Sequence, residues 1–464
     1  MKLQSLLASL APASALLLAV AAVPRAQEAA PAAPSTPPIA TAIPAATSTP
    51  PQAALDAAAP PVAPPEPPRV EPLPIPGEGA DPASPAPPPI PGGVAGPASP
   101  APPEPIALHD VQLDVSLGRY VAPLEKGRAI LTIDPRLQAR LERSLATYQV
   151  PWGATVLLEA GTGRVLALAE HSKAEPGRPG IALSAIAPAA SIFKIVTATA
   201  LLERGVGPDD EVCFHGGNHR LAPKLLADDP RRDRRCLSLA SAFGHSTNVV
   251  FAKLADRGLD AAALRATARR FGFDEPIPFP LPVERSTAEI PDDPFGFANT
   301  AAGFGAVRLS PLHAALLGSI VANGGLEVPP VLVDDVDGAP IPAPPASIRV
   351  VDEAVAAKLA AMMRNTVAQG TARRAFRRCG SALRGVEVAG KTGTLADVKP
   401  YRDYSWFVGF APADRPEVVV ATVIVNDRLW HARAPQVARE ALEAFFGGHV
   451  AALMPGAVQT AAAR

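Results

Sequence analysis

Between about Ala29 and Pro105 the chain consists almost entirely of proline, alanine and small polar residues. A stretch of that kind cannot bury enough apolar surface to offset the entropy lost on ordering it. Residues 29–107 are therefore expected to form a disordered, semi-extended linker of polyproline character, with a reach on the order of 200 Å at about 3.1 Å per residue. Any packed core is confined to residues 108–450, with 451–464 expected as a disordered tail. The remainder has ample apolar content for one large domain or two ordinary ones. Charge is balanced, with 43 basic against 44 acidic residues, so nothing points to nucleic acid.

The first 28 residues read as an export signal peptide or an uncleaved anchor. Lys2 supplies a positive start, and Leu16-Leu17-Leu18-Ala19-Val20-Ala21-Ala22-Val23 a short apolar run. If the segment is cleaved, Ala19-Val20-Ala21 or Pro24-Arg25-Ala26 can precede the cut. Gln4, Ser5, Ser9, Pro12 and Ser14 interrupt the run and make it a poor membrane span. A long tether, in contrast, makes most sense with its far end held, so a membrane tether stays open. No cysteine lies near this segment, which excludes a lipid-anchored form. The expected location is exported, periplasmic or cell-envelope.

Ordered sequence starts near Leu108. Asp134 can cap a helix opened by Pro135, with Leu137, Leu141 and Leu145 as its apolar stripe. Thr155–Leu158 and Val165–Leu168 flank a Gly161-Thr162-Gly163 turn and read as a hairpin. Helices are expected over Ser191–Arg204, Ser246–Arg257, Ala261–Phe271, Pro311–Ala322 and Pro435–Phe446. Strands are expected over Val386–Lys391, Ser405–Phe410 and Val418–Val425. Strands at both ends and helices between them imply an α+β fold, with one sheet built from the two chain ends and a helical lobe beside it.

Three short motifs stand in order along this framework. Ser191-Ile192-Phe193-Lys194 opens one helix, Ser246-Thr247-Asn248 another, and Lys391-Thr392-Gly393-Thr394 ends a strand. Residues three apart share a helix face, which sets Lys194 beside Ser191. A serine hydroxyl attacks only when a base takes its proton. Lysine serves as that base once its pKa drops from about 10.4 to near neutrality, which takes about 4 kcal/mol of environment. Ile192, Phe193, Ile195 and Val196 desolvate Lys194, and Lys391 adds a second positive charge. Ser246 can relay a proton, and Asn248 can both donate to and accept from a substrate amide. Lys391, Thr392 and Thr394 can hold a terminal carboxylate. Gly393 lets an extended peptide approach the strand edge. Alone, each motif also fits a bland role: a helix start with an exposed lysine, an N-cap, a strand-end turn. Jointly and in order, they point to a catalytic serine, with Ser191, Lys194, Ser246, Asn248 and Lys391 carrying the chemistry.

These residues resemble the penicillin-binding protein transpeptidase domain, of the class B kind. The resemblance extends from about Ile130 to the end. It takes in Leu131-Thr132-Ile133-Asp134-Pro135-Arg136-Leu137-Gln138, Gly161-Thr162-Gly163-Arg164-Val165-Leu166-Ala167, Leu309-Ser310-Pro311-Leu312-His313 and Ala322-Asn323-Gly324-Gly325. Val367-Ala368-Gln369-Gly370-Thr371-Ala372 and Trp406-Phe407-Val408-Gly409-Phe410-Ala411-Pro412 complete it. It implies a three-layer α/β/α fold, an antiparallel sheet flanked by helices with an all-helical lobe. It implies a serine D,D-transpeptidase that acts on D-Ala-D-Ala stem peptides of peptidoglycan, is acylated by β-lactams and needs no cofactor. It also implies an oxyanion hole made by the N–H groups of Ser191 and Thr394. The chain departs from the pattern at Ala189-Ala190, where the family usually has Pro-Gly, and at His313, where it often has Gln. The linker stands where a pedestal or glycosyltransferase domain is expected. The rival readings are a D,D-carboxypeptidase or class D-like β-lactamase on the same scaffold, and a non-catalytic β-lactam-sensing or wall-binding domain. Class D enzymes share the Ser-x-Phe-Lys start but usually carry an apolar residue where Asn248 stands, which favours the transpeptidase.

Cys213 and Cys236 bracket the segment before Ser246, with Cys379 apart from them. A disulfide, a zinc site using His215 and His219, and two free thiols all remain open at this point, and no metal is expected at the catalytic residues. Arg231, Arg232, Arg234 and Arg235 read as a solvated basic face. Tyr404 and Trp406 read as packing. Oligomeric state is not legible.

Overall fold

A computed structural model describes residues 104–217, 220–341 and 344–453. The expectations for the N-terminal segment, most of the linker and the tail lie outside the described residues. Among the described residues, no helix is long and apolar enough to cross a membrane.

Helix α1 (Pro135–Thr147) begins where Asp134 caps it, accepting hydrogen bonds from the N–H groups of Arg136 at 2.7 Å and Leu137 at 3.1 Å. Leu141 and Leu145 are buried, each contributing about 1.5–3 kcal/mol. Strands β1 (Trp152–Glu159) and β2 (Val165–His171) form the first hairpin. Helix α2 (Lys194–Glu203) follows, then the short hairpin of β3 (Glu211–Phe214) and β4 (Arg235–Ser238). The middle of the chain supplies α3 (Leu239–His245), α4 (Asn248–Gly258), α5 (Ala261–Arg270), α6 (Pro294–Ala301), α7 (Pro311–Ala322) and α8 (Glu353–Ala368). Strands β5 (Ala389–Val398), β6 (Tyr401–Ala411) and β7 (Val418–Asn426) return to the sheet, and α9 (Ala434–Leu453) closes the chain.

The principal sheet has five strands in the order β5-β6-β7-β1-β2, all antiparallel. Every residue of β7 is buried, as befits a central strand covered on both faces. On one face Leu157, Val420, Ile424 and Phe407 pack with α1 and α9 through Leu141, Leu145, Ala438 and Leu442. On the other, Val156, Leu158, Val408 and Val419 meet α7, which is buried from Pro311 to Val321. Gly318 makes that approach possible, since a Cβ there would come within 2.9 Å of Val408 Cγ1. The expected three layers are present.

Several local expectations need correction. Ser191 stands on a single 3-10 turn, Ala190–Phe193, and the α-helix begins only at Lys194. Ser246 is not a helix start. It caps the end of α3 in the left-handed conformation at φ 56°, because the Thr247 N–H turns back to the carbonyl of Ala242. Lys391-Thr392-Gly393 lies in the first half of β5 rather than at a strand end. Pairing with the long β6 carries the strand on through mostly exposed residues to Val398, which an edge strand tolerates. Helix α8 was not anticipated. Nor was a separate five-stranded sheet of short strands, in the order Gln112–Asp114, Arg119–Pro123, Arg128–Leu131, Val333–Val336, Ala339–Pro340.

Candidate active site

The turn bearing Ser191 is set by its neighbours. Ala190 takes φ 48°, a left-handed conformation costing an L-residue about 1–2 kcal/mol. The turn thus forms with an alanine at position 190. Gly303 lies directly against this turn, where a Cβ would come 2.7 Å from the Ala190 carbonyl oxygen and 3.1 Å from Ser191 Cα. From the sheet side, a Cβ on Gly393 would come 3.2 Å from Ile192 Cγ1 and 3.4 Å from the Ala189 carbonyl oxygen. The Trp406 indole N–H donates to the Pro188 carbonyl at 2.9 Å, tying β6 to the same segment.

Lys194 is fully buried. Its Nζ lies 2.8 Å from Ser191 Oγ, whose hydroxyl can donate to the neutral amine, and it donates to Asn248 Oδ1 at 2.7 Å and to the carbonyl of Ala302. The Phe251 ring centroid lies 5.4 Å away. Burial pushes the Lys194 amine well below the ordinary lysine range, and the positive charge of Lys391 pushes it further. This is the state a lysine base requires.

Lys391 is also fully buried. Its Nζ donates to Ser246 Oγ at 3.0 Å and to the Thr392 carbonyl at 2.7 Å, over the Phe243 ring at 5.5 Å. Burial brings its pKa down to about 7. Five expected residues therefore form two linked groups, Ser191–Lys194–Asn248 and Ser246–Lys391. They come from the 3-10 turn, α2, the α3–α4 corner and β5. Thr394 is exposed on β5, which is the edge strand of the sheet. The sheet edge beside the nucleophile is thus open to an extended peptide.

Sequence reasoning missed four contributors. The Thr371 hydroxyl meets the Thr392 hydroxyl and joins the Lys391 side of the site. Its place is set by Gly370, where a Cβ would come 2.1 Å from the Gly244 carbonyl oxygen, and by the Thr371 N–H, which donates to that oxygen at 3.1 Å. The run Val367–Ala372 had carried the resemblance without suggesting a role. The other three are the Ala302 carbonyl on Lys194 and the Phe243 and Phe251 rings, which no motif marks. His313 lies behind the nucleophile turn. Its Nε2 is 2.7 Å from the Phe271 carbonyl, and its ring packs on Phe273, which in turn meets Phe193 edge-on. Burial lowers its pKa to about 4, so it is neutral at neutral pH. Tyr404 and Trp406 are buried packing residues, and the Tyr404 hydroxyl donates to Asp397 at 2.7 Å.

Cys213 and Cys236 are opposite each other on β3 and β4 and are joined by a disulfide. His215 is held by Asp233, and His219 lies outside the described residues. Among the described residues no group of His, Cys, Asp and Glu could hold a metal ion.

Residues 153–444 match the family model of the penicillin-binding protein transpeptidase domain. The chain belongs to that family. It is 30% identical over 370 residues to the peptidoglycan D,D-transpeptidase PbpA of Mycobacterium tuberculosis, covering 69% of this chain and 73% of the relative. It is 28% identical to the peptidoglycan D,D-transpeptidase FtsI of Escherichia coli over 355 residues, 71% of this chain and 54% of that longer protein. Among solved structures, the imipenem acyl-enzyme complex of M. tuberculosis penicillin-binding protein A superposes with a TM-score of 0.56 at 28% identity, covering 68% of this chain and 78% of that one. Pseudomonas aeruginosa PBP2 in complex with WCK 5153 gives 0.58 at 26% identity, covering 70% and 80%. Family membership and the β-lactamase-like α+β fold agree with what the resemblance implies.

Proposed function

We propose that this chain is a serine D,D-transpeptidase that cross-links peptidoglycan stem peptides ending in D-Ala-D-Ala. The observation that carries the reading is the buried Lys194 amine, 2.8 Å from Ser191 Oγ and held well below the ordinary lysine range. Lys194 takes the proton as Ser191 Oγ attacks the carbonyl of the penultimate D-Ala. The tetrahedral oxyanion is held by the N–H groups of Ser191 and Thr394. Lys391 and the hydroxyls of Thr392 and Thr394, with Thr371 behind them, receive the terminal carboxylate. Ser246, hydrogen-bonded to Lys391, passes a proton to the departing D-Ala nitrogen. Asn248 orients both Lys194 and the peptide amide. The ester on Ser191 is then attacked by an acceptor amine, which forms the cross-link and frees the serine. β-Lactams acylate the same oxygen. The same reading has the domain working in the cell envelope, exported through its N-terminal segment and carried on the proline-rich arm.

Fluorescent penicillin labelling of the protein beside its Ser191→Ala variant tests this. Stable, Ser191-dependent labelling is expected. A label that survives the substitution overturns the reading, and hydrolysis of the β-lactam within seconds moves it to a β-lactamase.

A further inference from the structure

The segment between the first two motifs is closed on itself and then pinned to the helix that carries Asn248. The disulfide links Cys213 to Cys236 across a sequence separation of 23 residues. Described residues of the excursion between them lie against α4. Gly217, at φ +69°, lies so close that a Cβ there would be 2.6 Å from Cβ of Val249, the residue after Asn248. Deeper in, the α4 residue Lys253 is fully buried. Its Nζ donates to Asp233 Oδ2 at 2.7 Å, to Asp228 Oδ1 at 3.0 Å and to the Cys213 carbonyl at 3.1 Å. The Asp233 side chain is 5% exposed, and its second oxygen meets His215 Nδ1. Burial opposes ionisation of Asp233, but the hydrogen bonds from His215 and Lys253 outweigh it and hold the carboxyl well below the usual range.

The same hairpin holds the other half of the second motif. β4 runs directly into α3, which Ser238 caps, and Ser246 is the residue that ends α3. Ser246 and Asn248 thus hang from two helices, one continuous with the disulfide hairpin and the other pinned to it by a buried ion pair. A buried ion pair is a costly way to gain stability, and its better-attested use is to fix one arrangement among close alternatives. The arrangement fixed here is the approach of Asn248 Oδ1 to Lys194 Nζ, at 2.7 Å.

We infer that Lys253 and Asp233, braced by the Cys213–Cys236 disulfide, are positioning residues for acylation of Ser191, acting through the Ser246–Asn248 corner. The inference rests on the serine acyltransferase reading of the site. Neither residue touches the reacting atoms. Both set the depth of α4 against the lysine base, where small displacements are expensive in rate.

The test uses the full chain with Cys379→Ser, so that Cys213 and Cys236 are the only thiols. Penicillin acylation is resolved into the noncovalent dissociation constant and the first-order acylation rate, counted per molecule competent to label, with thermal melting in parallel. Reduction by dithiothreitol and the Asp233→Asn substitution are each expected to slow acylation on the order of tenfold, with the noncovalent constant unchanged. Reoxidation is expected to restore the rate, and reducing Asp233→Asn to add little, because both act on one device. An acylation rate unchanged by full reduction, or a loss confined to the noncovalent constant, overturns the inference. So do losses that multiply independently in the reduced Asp233→Asn protein. If Asp233→Asn does not fold, oxidised against reduced protein decides alone. Absence of acylation in the oxidised protein overturns the functional reading as well, which separates the two failures.

Discussion

Lys391 and Lys194 are both fully buried, and the charge on Lys391 helps hold the Lys194 amine in its neutral form. The two lysines divide the labour by protonation state. One is kept uncharged beside the nucleophile, while the other, with a pKa of about 7, carries the charge that a substrate carboxylate seeks.

That division predicts a bell-shaped pH profile. Acylation needs Lys194 neutral, so it rises as the pH climbs through the depressed Lys194 value. It also needs Lys391 protonated, so it falls as the pH passes about 7. The second-order acylation constant reports the free protein and is the quantity to follow. Lys391→Met removes the charge that depresses Lys194. The acidic limb is expected to move to higher pH and the alkaline limb to vanish. An alkaline limb that persists near neutrality in that variant would exclude Lys391 as its source.

Lys194→Met is expected to lower the acylation rate by about 10²–10⁴, the range for loss of a positioned general base. Stopped-flow quenching with a fluorescent penicillin measures it. A loss of less than tenfold would mean that another group takes the Ser191 proton.

Ala190 holds a left-handed backbone, and its methyl side chain has no polar group with which to offset the strain by a local hydrogen bond. Ala190→Gly relieves about 1–2 kcal/mol of strain and returns part of it through the more flexible unfolded chain. A net gain on the order of 0.5–1 kcal/mol is expected in denaturant unfolding. A loss of stability would show that the alanine methyl packs better than the strain costs.

Gly303→Ala should act in the opposite sense. Its φ is +94°, and the added methyl would lie 2.7 Å from the Ala190 carbonyl oxygen, a backbone atom that cannot swing aside. A destabilisation of about 2 kcal/mol or more is expected, together with slower acylation in the molecules that remain folded. Normal acylation in a destabilised variant would mean that the turn moves without disturbing Ser191.

The α+β class and the five motif residues were legible because each rests on a local pattern, whereas helices on both faces of the sheet were implied only by the family resemblance. The stripe of Leu141 and Leu145, the apolar run of β7 and the three-residue spacing of Ser191 and Lys194 are all visible without tertiary information. What escaped is set by contacts distant in sequence. Ser246 reads as a helix start because serine favours N-caps and seldom takes φ > 0. Only the return of the Thr247 N–H to Ala242 makes it the end of α3. Thr371 had no visible role because its partner is 21 residues further along, on β5. The short strands at Gln112–Asp114 and Val333–Val336 are too brief to show alternation. They become a sheet only when residues about 200 apart in the chain meet, at Ile130 and Asp335.

The placement of β7 governs the order in which a functional molecule can appear. The strand at the centre of the sheet is the last of the five in the chain, lying between β6 and the much earlier β1. A polypeptide delivered from its N-terminus presents Ser191, Lys194, Ser246 and Asn248 long before the strand that bears Lys391 arrives, and β1 waits longer still for its neighbour. The nascent chain therefore carries its nucleophile before the strand that completes the site has been delivered.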